Sequence, residues 1–246
     1  ILKVQELCSG FAVESSDGPI QADYIVWAAG QFFFPRSHDF PGAEYALHNS
    51  KVKDWAELEG DSFSIIGGYE SGVDAALNLV NLGKNVRLIS NGEPWASDHP
   101  DPSRSLSPRT LDRLRELLQD EEKAKLIAFV KNTTIKKIEE GDGFWTLRDQ
   151  DDIPIASNTR PILANGFQSG LGLVEEFFER DEHNLPVFSE EADESTITPG
   201  LFYSGPSLVH RNALFCFIYK FRARFGVIAA EIANRLEVPD VEKNLE

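Results

Sequence analysis

The sequence predicts an α/β fold, in which a parallel sheet flanked by helices carries an excursion of antiparallel strands. The main observation is a strand, a glycine-rich turn and a helix in succession over residues 62–82, followed by a second strand at 85–90. A second observation is the strand patterns of "GFWTLRDQ" and "IPIASNTRPILANGF", which an Asp-rich turn joins. The first pattern predicts a βαβ unit, and the second predicts antiparallel strands attached to it.

Composition limits the partners of this fold. The chain has 246 residues, of which 41% are hydrophobic, so it can bury a core as one large or two ordinary domains. Its 24 Lys and Arg against 40 Asp and Glu give a formal net charge of -16, which repels phosphate backbones and anionic membranes. We therefore expect neither nucleic acid nor a membrane as a partner. With no basic and apolar leader and no apolar stretch of about 18 residues, the sequence predicts a cytoplasmic protein.

The two cysteines, Cys8 and Cys216, lie far apart and form no C-x-x-C pair. The sequence therefore encodes no disulfide framework, zinc ribbon or local redox dithiol, and we interpret both as small buried residues. No metal site is predicted.

The first thirty residues read as strands near 11–14 and 24–28, separated by the turn "SSDGP". These strands have no earlier partner in the sequence. We therefore expect the chain to begin inside a fold, as a fragment of a longer protein.

The βαβ unit contains the candidate binding turn, "IIGGYESGVDAA". Its strand is predicted at 62–66 and its helix at 71–82, and free amides at the start of such a helix favour an anion. Against G-x-G-x-x-G, the turn supplies Gly67 and Gly72 but places Tyr69 at the middle glycine. Taken alone, the motif is equally compatible with a phosphate cradle and with an ordinary turn between strand and helix.

The residues at the end of the second strand predict which nucleotide would bind. NAD sites usually place Asp or Glu there, but this chain has Ser90 and Asn91, so NADP is favoured over NAD. Glu93, just downstream, could serve the ribose instead. Three basic residues close in sequence could supply a counter-charge or be ordinary surface cations: Lys84, Arg104 and Arg109.

Two more helices and a closing strand complete the prediction. Leucines at helical spacing predict a helix at 108–118. A short strand at 201–204 ends at Gly205, and a long helix follows at about 213–236. The apolar positions of this helix are too broad for one surface stripe, so we expect burial on more than one side.

Several ordered segments carry a family resemblance. They are "ADYIVWAAGQFFFP", "FPGAEYALHNS", "FSIIGGYESGVDAALNLVNLGKNVRLIS", "PILANGF", "TPGLFYSGP" and "CFIYKFRARFGVIAAEIANRL". Together they resemble flavoproteins with two dinucleotide-binding domains, in particular the flavin-containing monooxygenase-like branch of the pyridine nucleotide-disulfide oxidoreductase superfamily. The resemblance implies a Rossmann-like NAD(P)-binding domain at 51–168, inserted into a partial FAD-binding domain formed by 1–50 and 169–246.

The same resemblance implies the cofactors and their sites. NADPH would bind this chain, whereas FAD would belong to the intact protein, because the family's FAD glycine loop comes from a segment that this sequence lacks. The family's two A-T-G-like crossings correspond to residues 28–30 and 164–166. Catalytic residues are not assigned. The residues implied in cofactor binding are Gly67, Gly68, Tyr69, Glu70, Ser71, Gly72, Ser90, Asn91, Ala164, Asn165, Gly166, Gly205 and Asn212.

Three functions stay open at this point. The first is an NADPH-dependent flavin monooxygenase. Such enzymes carry an F-x-G-x-x-x-H motif, but the histidine of this chain, His48, lies two positions later than the motif requires. The second is a flavin-dependent reductase of a low-molecular-weight disulfide, and the third is a nucleotide-binding module without catalysis. Both enzyme readings imply a small-molecule substrate, and a homodimer is one expected assembly. For the polypeptide as given, we expect binding without turnover.

Overall fold

The computed structural model describes residues 1–36, 40–101, 103–211 and 213–238, and it divides the chain into two compact units. We call Pro35–Gly166 the inserted unit, and Ile1–Phe34 with Phe167–Glu246 the host unit. The inserted unit therefore includes residues 35–50, which lie before the domain boundary drawn from the sequence.

Strands and helices are numbered here in chain order. The strands are β1 (Lys3–Glu6), β2 (Phe11–Ser15), β3 (Gly18–Ala22), β4 (Ile25–Trp27), β5 (Leu47–His48), β6 (Ser62–Ile66), β7 (Asn85–Ile89), β8 (Ile127–Val130), β9 (Ile135–Glu140), β10 (Trp145–Asp149), β11 (Pro154–Ser157), β12 (Ile162–Leu163), β13 (Leu201–Tyr203), β14 (Val209–His210) and β15 (Ala213–Leu214). The α-helices are α1 (Glu70–Asn81), α2 (Pro108–Gln119), α3 (Glu121–Ala124) and α4 (Ile218–Arg235). None of the helices in the described ranges is long and apolar enough to cross a membrane.

A parallel sheet forms the centre of the inserted unit. Its strand order is β5-β12-β6-β7-β8, and each neighbouring pair runs parallel. The central strands are apolar because both faces of such a sheet are covered; Ile65 and Leu88 are fully buried in them. Helix α1 packs its buried face, which includes Val73 and Leu77, into the same core. The predicted βαβ unit and α/β fold class are confirmed.

The antiparallel excursion is a separate sheet of the inserted unit, with strand order β11-β10-β9. Its turn from β10 to β11 contains Asp152 with a positive φ of 60°, a conformation that Asp tolerates better than most residues. Leu147 and Ile138, opposite each other on neighbouring strands, bury the inner face of this sheet.

The host unit consists of an antiparallel meander, β1-β2-β3, and a parallel pair, β4 and β13. Its core is aromatic: Phe11, Phe202 and Tyr203 are buried almost completely, and Phe188 stacks on Tyr203 with ring centroids 4.8 Å apart.

Helix α4 differs from the prediction at its start and in its burial. It begins at Ile218 rather than near 213, because β15 pairs with β14 in a short hairpin that occupies the preceding residues. Among its described residues only Ile228 and Ala233 are buried, whereas Ile218 and Tyr219 are 70% and 51% exposed. Burial on more than one side was therefore a wrong expectation.

The two crossings between the units are each held by backbone hydrogen bonds. In the host unit, the amide of Gln168 donates to the carbonyl of Phe34 at 2.8 Å. In the inserted unit, the amide of Arg36 donates to the carbonyl of Gly166 at 3.1 Å. The chain therefore enters and leaves the inserted unit side by side.

Candidate nucleotide site

Parallel strands bring the predicted turn and crossing together at one edge of the sheet. Gly67 follows β6, Ser90 follows β7 and Ala164 follows β12, so all lie at the carboxyl ends. The amide of Gly67 donates to Ile89 O at 2.8 Å, and the amide of Ala164 donates to Ile66 O at 2.8 Å. In open α/β sheets this edge is where ligands bind.

The turn requires glycine at three positions. Gly67 has a φ of +115°, and a Cβ there would lie 2.2 Å from Ala164 O. A Cβ on Gly72 would lie 1.8 Å from Gly67 O, so this glycine lets α1 approach the turn. A Cβ on Gly68 would lie 2.4 Å from Ser90 Oγ. The close approach expected of the middle glycine in the motif therefore falls on Gly68, one residue before Tyr69.

Tyr69 is the residue just before α1, and it leaves the start of that helix open. Its backbone is extended, its side chain is 45% exposed, and it makes no capping hydrogen bond. The first helical bond runs from the amide of Val73 to Tyr69 O at 2.9 Å. The amides of Glu70, Ser71 and Gly72 have no acceptor among the described residues, as expected for the first turn of a helix, and can donate to an anion.

The Glu70 carboxylate contacts the start of α2. It accepts hydrogen bonds from the amide of Ser107, from Ser107 Oγ at 3.2 Å and from Thr110 Oγ1 at 2.6 Å. Ser107 Oγ itself accepts from the amide of Thr110, as the N-cap of α2. In the predicted cradle, Glu70 therefore offers its backbone amide, while its side chain joins the N-termini of two helices.

Neither of the two residues that follow β7, on the adenosine side of the predicted site, is a carboxylate. Ser90 is buried, and its Oγ accepts from the amide of Gly92 at 3.3 Å, whereas Asn91 is exposed. Glu93, the alternative ribose ligand, forms an ion pair with Lys131 at 2.6 Å. This pairing favours the interpretation that Asn91, rather than Glu93, faces a nucleotide.

The three candidate counter-charges separate in the structure. Lys84 bonds to Asp61 Oδ1 at 2.9 Å, and these residues precede β7 and β6. Lys84 therefore lies at the amino edge of the sheet, opposite the turn, so of its two alternatives the structure favours an ordinary surface cation over a counter-charge. Arg104 and Arg109 are exposed near the start of α2, which Glu70 holds beside the turn.

The remaining predicted residues fall in both units. Ala164, Asn165 and Gly166 follow β12 at the carboxyl edge of the inserted unit. Gly205 follows β13 in the host unit, where a Cβ would lie 2.7 Å from the Tyr203 hydroxyl. Asn212 lies outside the described residues.

His48 holds the second crossing of the chain. It is 6% exposed, its Nε2 lies 3.0 Å from Gly166 O, and its Nδ1 accepts from the amide of Ser50 at 3.2 Å. These bonds assign a neutral imidazole that carries its proton on Nε2. Burial lowers the pKa of His48 below the usual 6.5, so its contribution to stability is present above pH 6.5 and declines as the pH falls. This geometry gives His48 a structural role.

One cluster was missed in the sequence. Asp193 in the host unit is completely buried and bonds to His210 and Arg224. The Arg224 side chain is 20% exposed and pairs with this buried carboxylate, so it is more than a surface cation on α4. The three residues are separated by 14 or more positions, so no local spacing reveals the cluster.

A nicotinamide dinucleotide, NADH or NADPH, fits the inserted unit on two of these observations. The turn is closed by glycines against backbone, and the first amides of α1 are open to a phosphate. Comparison with known proteins gives the family. The family model for pyridine nucleotide-disulphide oxidoreductases matches residues 1–205. The chain belongs to this family. The superfamily resemblance drawn from the sequence is thereby confirmed.

Among curated family relatives, bacilliredoxin reductase Bdr from Bacillus subtilis is 27% identical over 227 residues, covering 92% of this chain and 66% of the relative. A solved bacillithiol disulfide reductase from Bacillus cereus is 26% identical, with a TM-score of 0.70, covering 95% of this chain and 70% of that one. L-lysine 6-monooxygenase from Pseudomonas syringae shares the fold at a TM-score of 0.71 and 13% identity, over 95% of this chain and 70% of that one.

The chain spans 60 to 66% of the length of the curated relatives that it matches. The chain belongs to a family of oxidoreductases. The activity of the whole protein is proposed below.

Proposed function

We propose that this chain contains the NADPH-binding unit of a flavin-dependent reductase that acts on a low-molecular-weight disulfide. The main observation behind the proposal is the open turn before α1. There the amides of Glu70, Ser71 and Gly72 are available to donate hydrogen bonds to an anion. When bound, NADPH and FAD supply the electron pair that a disulfide substrate accepts.

The disulfide substrate is favoured over an oxygenase reaction for two reasons. Relatives at 26 to 27% identity are named as a bacilliredoxin reductase and a bacillithiol disulfide reductase, whereas the monooxygenase likeness, at 13% identity, concerns the fold. In addition, His48, the histidine of the oxygenase motif, is engaged with Gly166 and Ser50. The proposed partners are a small-molecule disulfide and, as an assembly, a homodimer, with no role for nucleic acid or membranes.

The residues of the chain would bind and orient the nucleotide. The amides after Tyr69 would donate to the pyrophosphate, and Gly67, Gly68 and Gly72 would keep the backbone clear for it. Asn91, exposed after β7, would face the adenosine ribose without repelling a 2'-phosphate.

The test is a calorimetric titration of the chain with NADPH and with NADH at fixed ionic strength. We expect NADPH to bind more tightly. Asn91→Asp should lower the affinity for NADPH about tenfold, the equivalent of about 1.4 kcal/mol, because a carboxylate would repel the 2'-phosphate. Asn158→Asp adds the same charge on an exposed loop before β12, at the opposite edge of the sheet, and should change nothing.

Binding of neither nucleotide would refute the proposal and favour a purely structural turn. The reaction itself is tested on the longer protein from which this chain is expected to come, because that protein supplies the FAD glycine loop: with FAD bound, NADPH oxidation is followed with a low-molecular-weight disulfide or with oxygen as the acceptor. Oxidation that depends on the disulfide supports the reductase. Oxidation with oxygen that yields a hydroxylated product supports the monooxygenase instead.

A further inference from the structure

A cavity of about 450 Å³ lies at the amino edge of the parallel sheet in the inserted unit. Its lining includes Leu47, Phe63 and Ile162, each within the first two residues of β5, β6 or β12. The candidate nucleotide turn follows β6 and lies at the opposite edge. The cavity is therefore a separate concave surface, and its volume falls in the range of about 300–1,000 Å³ that is typical of small-molecule sites.

Aliphatic and aromatic side chains form most of this surface. Phe63 and Ile162 are the most buried part of the lining, at 3% and 1% exposed, whereas Leu47 and Leu58 are half-buried. Trp145, the first residue of β10, contributes an indole ring whose Nε1 is buried and has no hydrogen-bond partner among the described residues. A buried N–H without an acceptor is destabilising. A ligand oxygen beside this ring would give Nε1 a partner.

Arg160 supplies a fixed cation to the same cavity. Its Nε donates to Tyr45 O at 2.8 Å, and its Nη2 donates to Ala46 O at 3.2 Å. These two residues immediately precede Leu47, so the guanidinium is held on the β5 side of the cavity. Within the described ranges, Nη1 makes no hydrogen bond. A guanidinium already fixed by backbone carbonyls can bind a carboxylate with little further loss of side-chain entropy.

The charge of Arg160 is not balanced by the residues around it. The chain has a formal net charge of -16, yet no carboxylate of the described part of the chain forms an ion pair with Arg160. Glu59, the other charged residue of the lining, is exposed and is not bonded to Arg160. By contrast, Arg113 and Arg148 of the same unit each pair with a carboxylate at 2.6 Å. Arg160 can therefore take its anionic partner from a ligand.

We propose that this cavity binds a small aromatic carboxylate. The ligand ring would pack against Phe63, Ile162 and Trp145, since aromatic rings gain both from burial and from contact with one another. The carboxylate would accept from Arg160, and its single charge matches the one fixed guanidinium. A dinucleotide would instead bring polar groups onto the apolar lining. This inference does not depend on the proposed reductase function.

The test is an NMR titration of the full chain with 2-naphthoate, and with 2-naphthamide as a neutral ligand of the same shape. The indole N–H signal of Trp145, assigned by its loss in Trp145→Phe, reports occupation of the cavity. We expect 2-naphthoate to shift this signal to saturation and to bind at least fivefold more tightly than 2-naphthamide, because only the carboxylate pairs with Arg160. This comparison uses the unchanged protein and so does not depend on the folding of a variant.

Arg160→Gln should lower the affinity for 2-naphthoate at least fivefold and leave the affinity for 2-naphthamide unchanged. Arg87→Gln is the matched control. Arg87 also donates to a backbone carbonyl of the inserted unit, from Nη1 to Ala156 O at 2.9 Å, but it does not line the cavity. Its loss should leave the affinity for both ligands unchanged.

Three results would each overturn the inference: a Trp145 signal that does not respond to 2-naphthoate, equal affinities for the two ligands, or the same 2-naphthoate affinity in Arg160→Gln as in Arg87→Gln. Each would leave the reductase proposal standing, because NADPH titration tests that proposal at the opposite edge of the sheet.

Discussion

At the scale of single residues, the turn before α1 shows how a tyrosine can replace a motif glycine. A Cβ added at Gly67, Gly68 or Gly72 would lie within 2.4 Å of a neighbouring atom, so the steric restriction applies at these three positions. Tyr69 follows the restricted pair, has an extended backbone and directs part of its side chain to solvent. Its side chain is therefore not required for the geometry of the turn.

Tyr69→Gly should leave NADPH affinity unchanged or slightly higher, since glycine is tolerated just before a helix and the amides that would bind phosphate remain. Gly68→Ala should weaken binding, because its Cβ would meet Ser90 Oγ at 2.4 Å, whereas Gly92→Ala, where a Cβ meets nothing within 4 Å, is the control. The dissociation constants of the variants for NADPH, measured by calorimetry, test these expectations. A clear loss of affinity in Tyr69→Gly would mean that the tyrosine itself contacts the nucleotide.

Sequence patterns located the glycines but not their contacts. The spacing of Gly67 and Gly72 predicted a tight turn, and the structure adds that Gly68 bears the close approach. Lys84 shows that closeness in sequence does not imply closeness in space. It lies only seven residues from Asn91, but strand β7 runs between them, so the two residues lie at opposite edges of the sheet. Contacts such as Asp193 with His210 and Arg224 depend on tertiary folding and could not be read from local pattern.

At the scale of elements, Glu70 connects the N-termini of α1 and α2. Its carboxylate accepts bonds from a backbone amide and two hydroxyl groups at the start of α2. Negative charge at a helix N-terminus is stabilising, so one side chain serves the dipoles of two helices. The orientation of α2 beside the binding edge depends on this residue.

Glu70→Gln should lower the free energy of unfolding by about 1 kcal/mol, because charge-assisted hydrogen bonds are worth about 1.5–3 kcal/mol and partial exposure reduces that value. The amide nitrogen of Gln cannot accept from Thr110 Oγ1. Urea unfolding measures the change, and Glu122→Gln, whose side chain is 84% exposed on α3, is the control. Equal stabilities of both variants would show that the Glu70 bonds contribute nothing.

Element prediction succeeded where the pattern was local. The strand at 62–66 and the start of α2 at Pro108 match the structure, because buried strands and a Ser-Pro start have strong local signals. The start of α4 was misplaced, since the hairpin β14 and β15 is a tertiary pairing of short segments. The burial of α4 was overestimated because the apolar composition of a helix indicates how much of its surface can be buried, but not which other elements pack against it.

At the scale of the whole molecule, the inserted unit has its own parallel sheet and its own core. The apolar cluster around Ile65, Leu77 and Leu88 is formed by residues of this unit alone. A unit of that size commonly buries enough surface to fold independently. The sequence could not place its exact limits, because the crossings at 34–36 and 166–168 are ordinary loop sequences.

A polypeptide of residues 35–166 expressed by itself should fold cooperatively and bind NADPH within about threefold of the affinity of the full chain, since the predicted cradle lies entirely within it. Urea unfolding and calorimetry on both polypeptides make the comparison. Folding without nucleotide binding would mean that residues of the host unit complete the site.

The paired crossings also bear on how such a protein can be assembled from parts. The Gly166 carbonyl and the Arg36 amide bring the two ends of the inserted unit together, and the Phe34 carbonyl and the Gln168 amide bring together the two ends of the host unit that flank it. We therefore expect that a gene segment for the inserted unit can be exchanged for a homologous one while the host unit keeps its path. Because the residues of the proposed nucleotide cradle belong to the inserted unit, such an exchange should carry the coenzyme preference with it.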